Sequence, residues 1–281
     1  MKIEVEAALV LRAQGGELLA LEAVLRQIQT PVYNLAVRML GRRDDAQDAT
    51  QEILLKVTTH LGGWRGESAF GTWVYSIAGN HLINARSRSP HRHELSFEEL
   101  GEQLDRGLEY AERIGFGERA LTPEDKLEAR RTALSCTQAM LTCLDAPGRL
   151  AYVLDEIFGL ESPAAAEVQG ITPAAHRQRL ARARQAVHGF MAERCGLVRA
   201  DAPCRCVRQT PGKRAAAARG RTVPGLTVDP SELDAASQAL QELTALGDAA
   251  ALLRGAPEYR APDAMLQGIR LVVAQSGMLR Q

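Results

Sequence analysis

Apolar positions along the chain recur mainly at helical spacing. Leu18, Leu21, Leu25 and Ile28, then Val32, Leu35 and Leu40, predict a helix that runs past Pro31 and stops at Gly41. A second helix begins at Asp44 or Asp45, either of which can cap it, and puts Ile53, Leu54, Val57 and Leu61 on one side. Gly62 to Ser68 reads as a loop. A third helix follows from Phe70 to Arg88, with Phe70, Trp73, Val74, Ile77, Ala78 and Ile83 inward. These elements predict a first domain over residues 1–89. Periodicity weakens over 90–122, where acids gather between Pro90 and Pro123, so this stretch is expected to be a linker, at most partly helical. The helical pattern returns over 123–194, with turns at Ala146-Pro147-Gly148, Ser162-Pro163 and Gly170, and predicts a second domain of four helices. Residues 195–225 read as a cysteine-containing turn followed by a flexible basic segment. Residues 226–281 read as a helical C-terminal extension, with Leu233, Leu240 and Leu243 in one stripe and Leu266, Ile269, Val272 and Val273 in another. The fold class expected is all-α.

Residues 162–184, SPAAAEVQGITPAAHRQRLARAR, carry the strongest local signal. A short helix over Ser162 to Gln169 would meet a tight turn at Gly170, with Ile171 as a buried pivot. Thr172 is a good N-cap, and Pro173 suits the first helical position, where its missing N–H costs nothing. The next helix carries Arg177, Arg179, Arg182 and Arg184, with no acid before Glu193. This is the grammar of a helix-turn-helix whose second helix enters a DNA major groove. Arginine suits that place because its fork matches phosphate and the O6/N7 edge of guanine. A solvated basic helix closing an all-helical domain would look the same locally.

Composition changes this picture in two ways. Aromatics make up only 4% of the chain, against 46% apolar residues overall, which favours helices over sheets. The formal net charge is zero, so no global basicity announces nucleic acid, but the charge is segregated. Residues 94–128 and 229–263 are acidic, whereas 177–184 and 205–221 are basic. The N-terminus lacks the basic-then-apolar order of a signal peptide, and no apolar run approaches membrane-spanning length. Five cysteines without a secreted pattern make a reducing cytoplasm the expected location. No nucleotide loop, nucleophile elbow or zinc-hydrolase signature is present, so no enzymatic activity is expected.

The first domain carries a second set of motifs: Asp45-Ala46, Asp48 and Gln51-Glu52; Arg65-Gly66, Ser68, Phe70 and Thr72-Trp73; Ile77-Ala78, Asn80, Asn84 and Arg86. Together they resemble region 2 of bacterial RNA polymerase sigma factors of the small extracytoplasmic-function (ECF) class. Residues 123–194 similarly resemble region 4, the reader of the −35 element. In its recognition helix Thr172, Arg177, Arg179, Leu180, Arg182 and Arg184 match in type. Ala175, His176 and Gln178 depart from the family pattern.

That resemblance implies roles. Asp48, Gln51 and Glu52 stand at i, i+3 and i+4 on one helix face, and the resemblance makes that face the dock for core RNA polymerase. Without it, they would read as an ordinary solvated acidic face. It also implies that the loop Trp64, Arg65, Gly66, Glu67 and Ser68 captures a base flipped from the melted −10 strand, while Asn80, Asn84, Arg86 and Arg88 contact its neighbours. Phe70 and Trp73 read as core at their helical spacing. Trp64 is the better candidate for exposure, or else a staple of its loop. Promoter DNA at −35 would be met by Thr172, His176, Arg177, Gln178, Arg179 and Arg182. His176 has two readings: a neutral hydrogen-bonded ring in the core, or a side chain pointing at DNA. The rival function, a self-standing helix-turn-helix regulator, would leave the Asp48 face and the 64–88 loop and helix unemployed.

Two features fall outside the resemblance. His188, Cys195, Cys204 and Cys206 are close in sequence and would make a tetrahedral zinc site if gathered; a redox-responsive thiol pair and an inert packed turn are the other readings. Cys136 and Cys143 read as core. The acidic extension complements the arginine face and is expected to fold back on the DNA-binding domains as a regulator, in place of or beside a separate anti-sigma protein.

Overall fold

The computed structural model describes residues 1–88, 95–116, 121–219, 253 and 258–262. Among these residues every regular element is helical, and β pairing is limited to one isolated bridge between Cys195 and Cys204. The chain forms two compact units that interleave along the sequence. No helix among the described residues is long and apolar enough to cross a membrane.

The first unit holds α1 (Ala7–Gln14), α2 (Leu18–Leu40), α3 (Arg43–His60), α4 (Phe70–Arg88), α7 (Ala146–Tyr152), α8 (Ser162–Val168) and the start of α9 (Pro173–Arg194). In α2 the predicted stripe Leu21, Leu25, Ile28, Val32 and Leu35 is buried, whereas Leu18 is 60% exposed. Gly41 ends α2 in the left-handed region at φ 78°, and its N–H bonds to the carbonyl of Val37 at 2.9 Å. Asp44 and Asp45 are not caps. They lie in the first turn of α3, where carboxylates favour the positive end of the helix dipole. Phe70, Val74 and Ala78 of α4 are buried as expected, joined by Tyr75 and Leu82, while Trp73, Ile77 and Ile83 are only half-buried. Helices α7 and α8 pack on α4. The close approach is at Gly79, where a Cβ would stand 2.9 Å from Leu150 Cδ2. The buried guanidinium of Arg149 donates to the carbonyl of Met39, the penultimate residue of α2.

The second unit corrects two expectations. The stretch expected to be a linker contains α5 (Phe97–Arg113), a helix of 17 residues. A capping box starts it: Glu99 N–H donates to Ser96 Oγ at 3.0 Å, and Ser96 N–H donates to Glu99 Oε2 at 2.8 Å. Leu100, Leu104 and Ala111 form its buried face. The segment expected to be flexible after residue 205 contains α10 (Cys206–Ala218), packed on α5 and on α6 (Pro123–Thr142). Pro211 lies inside α10 without breaking it. The carbonyl of Val207, which would ordinarily bond four residues on, accepts from the Thr210 hydroxyl at 2.8 Å instead. Gln209 is buried and donates to the carbonyl of Leu104 at 2.8 Å. The expected helices of the extension, with Leu233, Leu240, Leu243, Leu266, Ile269, Val272 and Val273, lie outside the described residues.

Candidate nucleic-acid and polymerase interface

Helix α3 presents Asp48, Gln51 and Glu52 to solvent, while Ala46, Ala49, Ile53 and Leu54 turn inward. The three side chains therefore share an exposed face, as their spacing requires. Glu52 Oε2 stands 3.7 Å from Nε2 of His81 on α4, and Lys56 Nζ is 2.7 Å from the other ring nitrogen of His81.

Between α3 and α4 the chain turns through Leu61–Gly63 and then a loop whose aromatic residues organise it. Trp64 Nε1 donates to the carbonyl of Ser68 at 3.2 Å, closing the loop on itself. Its ring meets Phe70 edge-on at 5.4 Å, and Phe70 stacks on Trp73 at 5.6 Å. Of the two readings of Trp64, the staple is the one observed. Gly66 adopts φ +74°, a left-handed conformation that other residues take at a cost. The loop borders an open hollow of about 280 Å³ lined by Gly63, Trp64, Arg65, Glu67, Ser68 and Trp73. Its mixture of two indole rings, a guanidinium and a carboxylate suits a flat heterocycle with hydrogen-bonding edges. Trp73, read as core, thus belongs partly to the pocket. Asn80 and Asn84 are exposed on α4. Arg86 and Arg88 lie on the last turn of that helix, and their side chains fall outside the described residues.

The helix-turn-helix is built as predicted at its turn. Gly170 takes φ 62°, and Thr172 caps α9 by accepting from Ala175 N–H at 3.2 Å, with Pro173 at the first helical position. Ile171 is only half-buried. The buried pivot is His176, which is 0% exposed and so takes the core reading and offers no surface to DNA. Its Nδ1 lies 2.8 Å from Gln169 Nε2, and its Nε2 lies 3.3 Å from Asp155 Oδ2. The same carboxylate oxygen accepts from Ser162 Oγ at 3.2 Å. Gln169 Oε1 accepts from Arg179 at 2.7 Å. Arg177, Gln178 and Arg182 are exposed, whereas Arg179 is half-buried and held by Gln169. Asp155 belongs to a π turn, Val153–Ile157, that links α7 toward α8. Neither the π turn nor the Asp155–His176–Gln169–Arg179 chain has a sequence signature. A histidine in place of a branched apolar residue was the only hint.

The zinc quartet is not assembled: no group of three or more His, Cys, Asp or Glu among the described residues is placed to hold a metal ion. Because α10 folds back on α6, Cys136 joins the neighbourhood of Cys195, Cys204 and Cys206. Burial pushes the Cys136 thiol up to about 12 and raises Cys204 and Cys206 above the ordinary thiol range. Lys213 is half-buried among them, its ammonium lowered by desolvation, and it donates to Ser135 Oγ. Cys143 bonds to the carbonyl of Ala139 at 3.4 Å within its own helix.

Residues 24–90 match the family Sigma-70 region 2. Over 188 residues the chain is 33% identical to the RNA polymerase sigma-H factor of Pseudomonas aeruginosa, covering 66% of this chain and 92% of that protein. It is 29% identical over 188 residues to the ECF RNA polymerase sigma-E factor of Haemophilus influenzae, covering 65% and 93% respectively. The solved structure of CnrH in complex with the cytosolic domain of CnrY matches at a TM-score of 0.44 and 20% identity, over 66% of this chain and 95% of that one.

Proposed function

Since the chain belongs to the bacterial RNA polymerase sigma factors, in their extracytoplasmic-function class, we propose that three of its surfaces divide the work of promoter recognition. The exposed Asp48, Gln51 and Glu52 face of α3 docks on core polymerase. The Trp64–Ser68 pocket takes a base extruded from the melted −10 strand, and Asn80, Asn84, Arg86 and Arg88 on α4 follow the neighbouring backbone. Helix α9 reads the −35 element through Thr172, Arg177, Gln178, Arg179 and Arg182. Functionally, residues 1–89 serve as the polymerase and −10 module and residues 123–194 as the −35 module. The chain makes no bond itself and works in the cytoplasm by lending specificity to the polymerase that does.

The observation that carries this reading is the folded loop. A stapled turn bordering an open hollow of about 280 Å³, next to a helix bearing two exposed asparagines, supports a role in holding an extruded base. Extrusion of a base costs a few kcal/mol, and stacking on indole with edge hydrogen bonds offsets a cost of that size. Run-off transcription with purified core enzyme tests the assignment. The full chain should confer initiation at its promoter, with permanganate-reactive thymines in the −10 region. Core enzyme that initiates equally well without the chain would refute it.

A further inference from the structure

Residues 258–262 lie on α2 without forming a helix or strand, and side chains of α2 hold their backbone. The buried carboxamide of Asn34 donates through Nδ2 to the carbonyl of Tyr259 at 2.7 Å and accepts the Tyr259 N–H on Oδ1 at 2.9 Å. Gln29, also buried, donates to the carbonyl of Pro262 at 2.9 Å. An amide that satisfies both backbone groups of one residue does what a neighbouring strand does in peptide recognition, and does so without regard to the side chain. Selectivity comes from the ring. Tyr259 is 2% exposed, with the guanidinium of Arg38 at 5.2 Å and that of Arg43 at 5.4 Å from its centroid.

Arg38 ties this site to the helix-turn-helix. Its guanidinium also stands 5.7 Å from the Phe158 ring, at the end of the π turn, and it donates to Asn34 Oδ1 at 2.9 Å. One arginine is thus shared between the aromatic ring of the C-terminal segment and the aromatic ring that precedes α8.

We propose that α2 carries a docking site for an aromatic-anchored peptide, that residues 258–262 fill it in cis, and that its occupancy holds the segment 146–180 against α4. The regulatory meaning rests on the sigma-factor reading. In this unit Asn80 and Asn84 belong to the same body as Arg177 and Arg179. The −10 and −35 elements are about 25 base pairs apart, or roughly 85 Å of duplex. A folded body of about 150 residues has a radius of gyration of roughly 15 Å, too small to reach both. The helix-turn-helix must therefore leave α4 before both elements are read together, and release of Tyr259 is the step that frees it.

Two measurements on the full-length chain test the proposal without polymerase or DNA, so their outcome is separate from that of the sigma-factor reading. The first is fluorescence anisotropy with a fluorescein-labelled peptide of residues 255–264. Tyr259→Ala, which vacates the site, should bind this peptide at least ten-fold more tightly than the parent, whose site is filled. Tyr259→Ala combined with Arg43→Ala or Asn34→Ala should lose that gain, with circular dichroism confirming a folded chain. Equal binding by all these chains, or binding by none, overturns the docking site. The second is hydrogen exchange. Tyr259→Ala should speed exchange over residues 149–158 at least ten-fold and leave α3 unchanged. Unchanged exchange over 149–158 overturns the link between the peptide and the helix-turn-helix.

Discussion

His176 and Asp155 face each other at 3.3 Å, a ring nitrogen against a carboxylate oxygen, at the centre of the helix-turn-helix. With Nδ1 accepting from Gln169, the network places the ring proton on Nε2, toward Asp155. The ring is wholly buried and holds Gln169, whose other amide atom holds Arg179. His176→Ala should destabilise the first unit by about 1–3 kcal/mol, because Asp155 and Gln169 would each lose a buried partner. Gln169→Ala should cost a similar amount, since it leaves Nδ1 of the buried His176 without its partner, and should in addition release Arg179 and blunt base preference at −35. Thermal unfolding and selection of bound sites from a randomised −35 library would measure the two effects. A Gln169→Ala chain with undiminished sequence preference would show that Arg179 needs no positioning.

Asp48→Arg combined with Glu52→Arg should abolish co-purification with core polymerase while the circular dichroism spectrum stays that of the parent. Both side chains are exposed, and the Glu52–His81 contact is too solvated to support the fold. Charge reversal at a docking face opposes the encounter itself. Retention of core binding would move the dock elsewhere.

The −10 loop offers a sharper probe than wholesale replacement. Trp64→Ala removes the bond to Ser68 and the edge contact with Phe70, so the pocket loses its wall and its closure together. Gly66→Val adds a branched residue at φ +74°, strained on the order of 1–2 kcal/mol. Each variant should reduce permanganate reactivity at −10 at least ten-fold while closed-complex formation, read by gel shift, changes less than two-fold. Equal loss of both would mean that the loop contributes to duplex binding instead of strand capture.

The thiols make a pH prediction. An unfolded cysteine ionises near 9, whereas half-buried Cys136 holds its proton to about 12. The folded state therefore binds more protons than the unfolded state between those values. The stability this provides is present below pH 9 and is lost as pH rises toward 12, up to roughly 4 kcal/mol in full. Cys204 and Cys206 are raised in the same sense. Lys213 is lowered from 10.5, so its contribution rises with pH over that window and opposes the thiols. Three thiols against one amine predict a net fall. The urea midpoint of the second unit should drop between pH 9 and 11, and Cys136→Ala should make the drop shallower. An identical pH profile in Cys136→Ala would acquit that thiol.

Local grammar was readable where one element decides its own conformation. Gly41, Gly170 and the Thr172-Pro173 start all stand where the sequence predicts them, because a cap or a left-handed turn is decided within a few residues. The α5 signal was present in Ser96 and Glu99, three residues apart, but acids on the polar face of an amphipathic helix resemble acids in a linker. Helix α10 was hidden for a different reason. Pro211 and Gly212 argue for a break, and only the Thr210 hydroxyl and the seat of Gln209 on α5 overrule them. The histidine network and the Tyr259 site depend on residues far apart in sequence, such as Asn34 and Tyr259, and no periodicity records such a pairing. The Asp48, Gln51 and Glu52 face was legible as geometry, and the resemblance supplied its purpose.

The way α10 is seated bears on how this chain can be shortened. A version cut back to Arg194, near the length its relatives span, would strip a wall from α5 and α6. It would leave the Leu104 carbonyl, Ser135 and the Cys136 thiol without the Gln209 and Lys213 side chains that now cover them. Such a chain would be expected to aggregate or to bind chaperones, and a loss of transcription from it would say nothing about regulation. The cut that separates the extension from the body belongs after Arg219, where α10 has already been paid out in full.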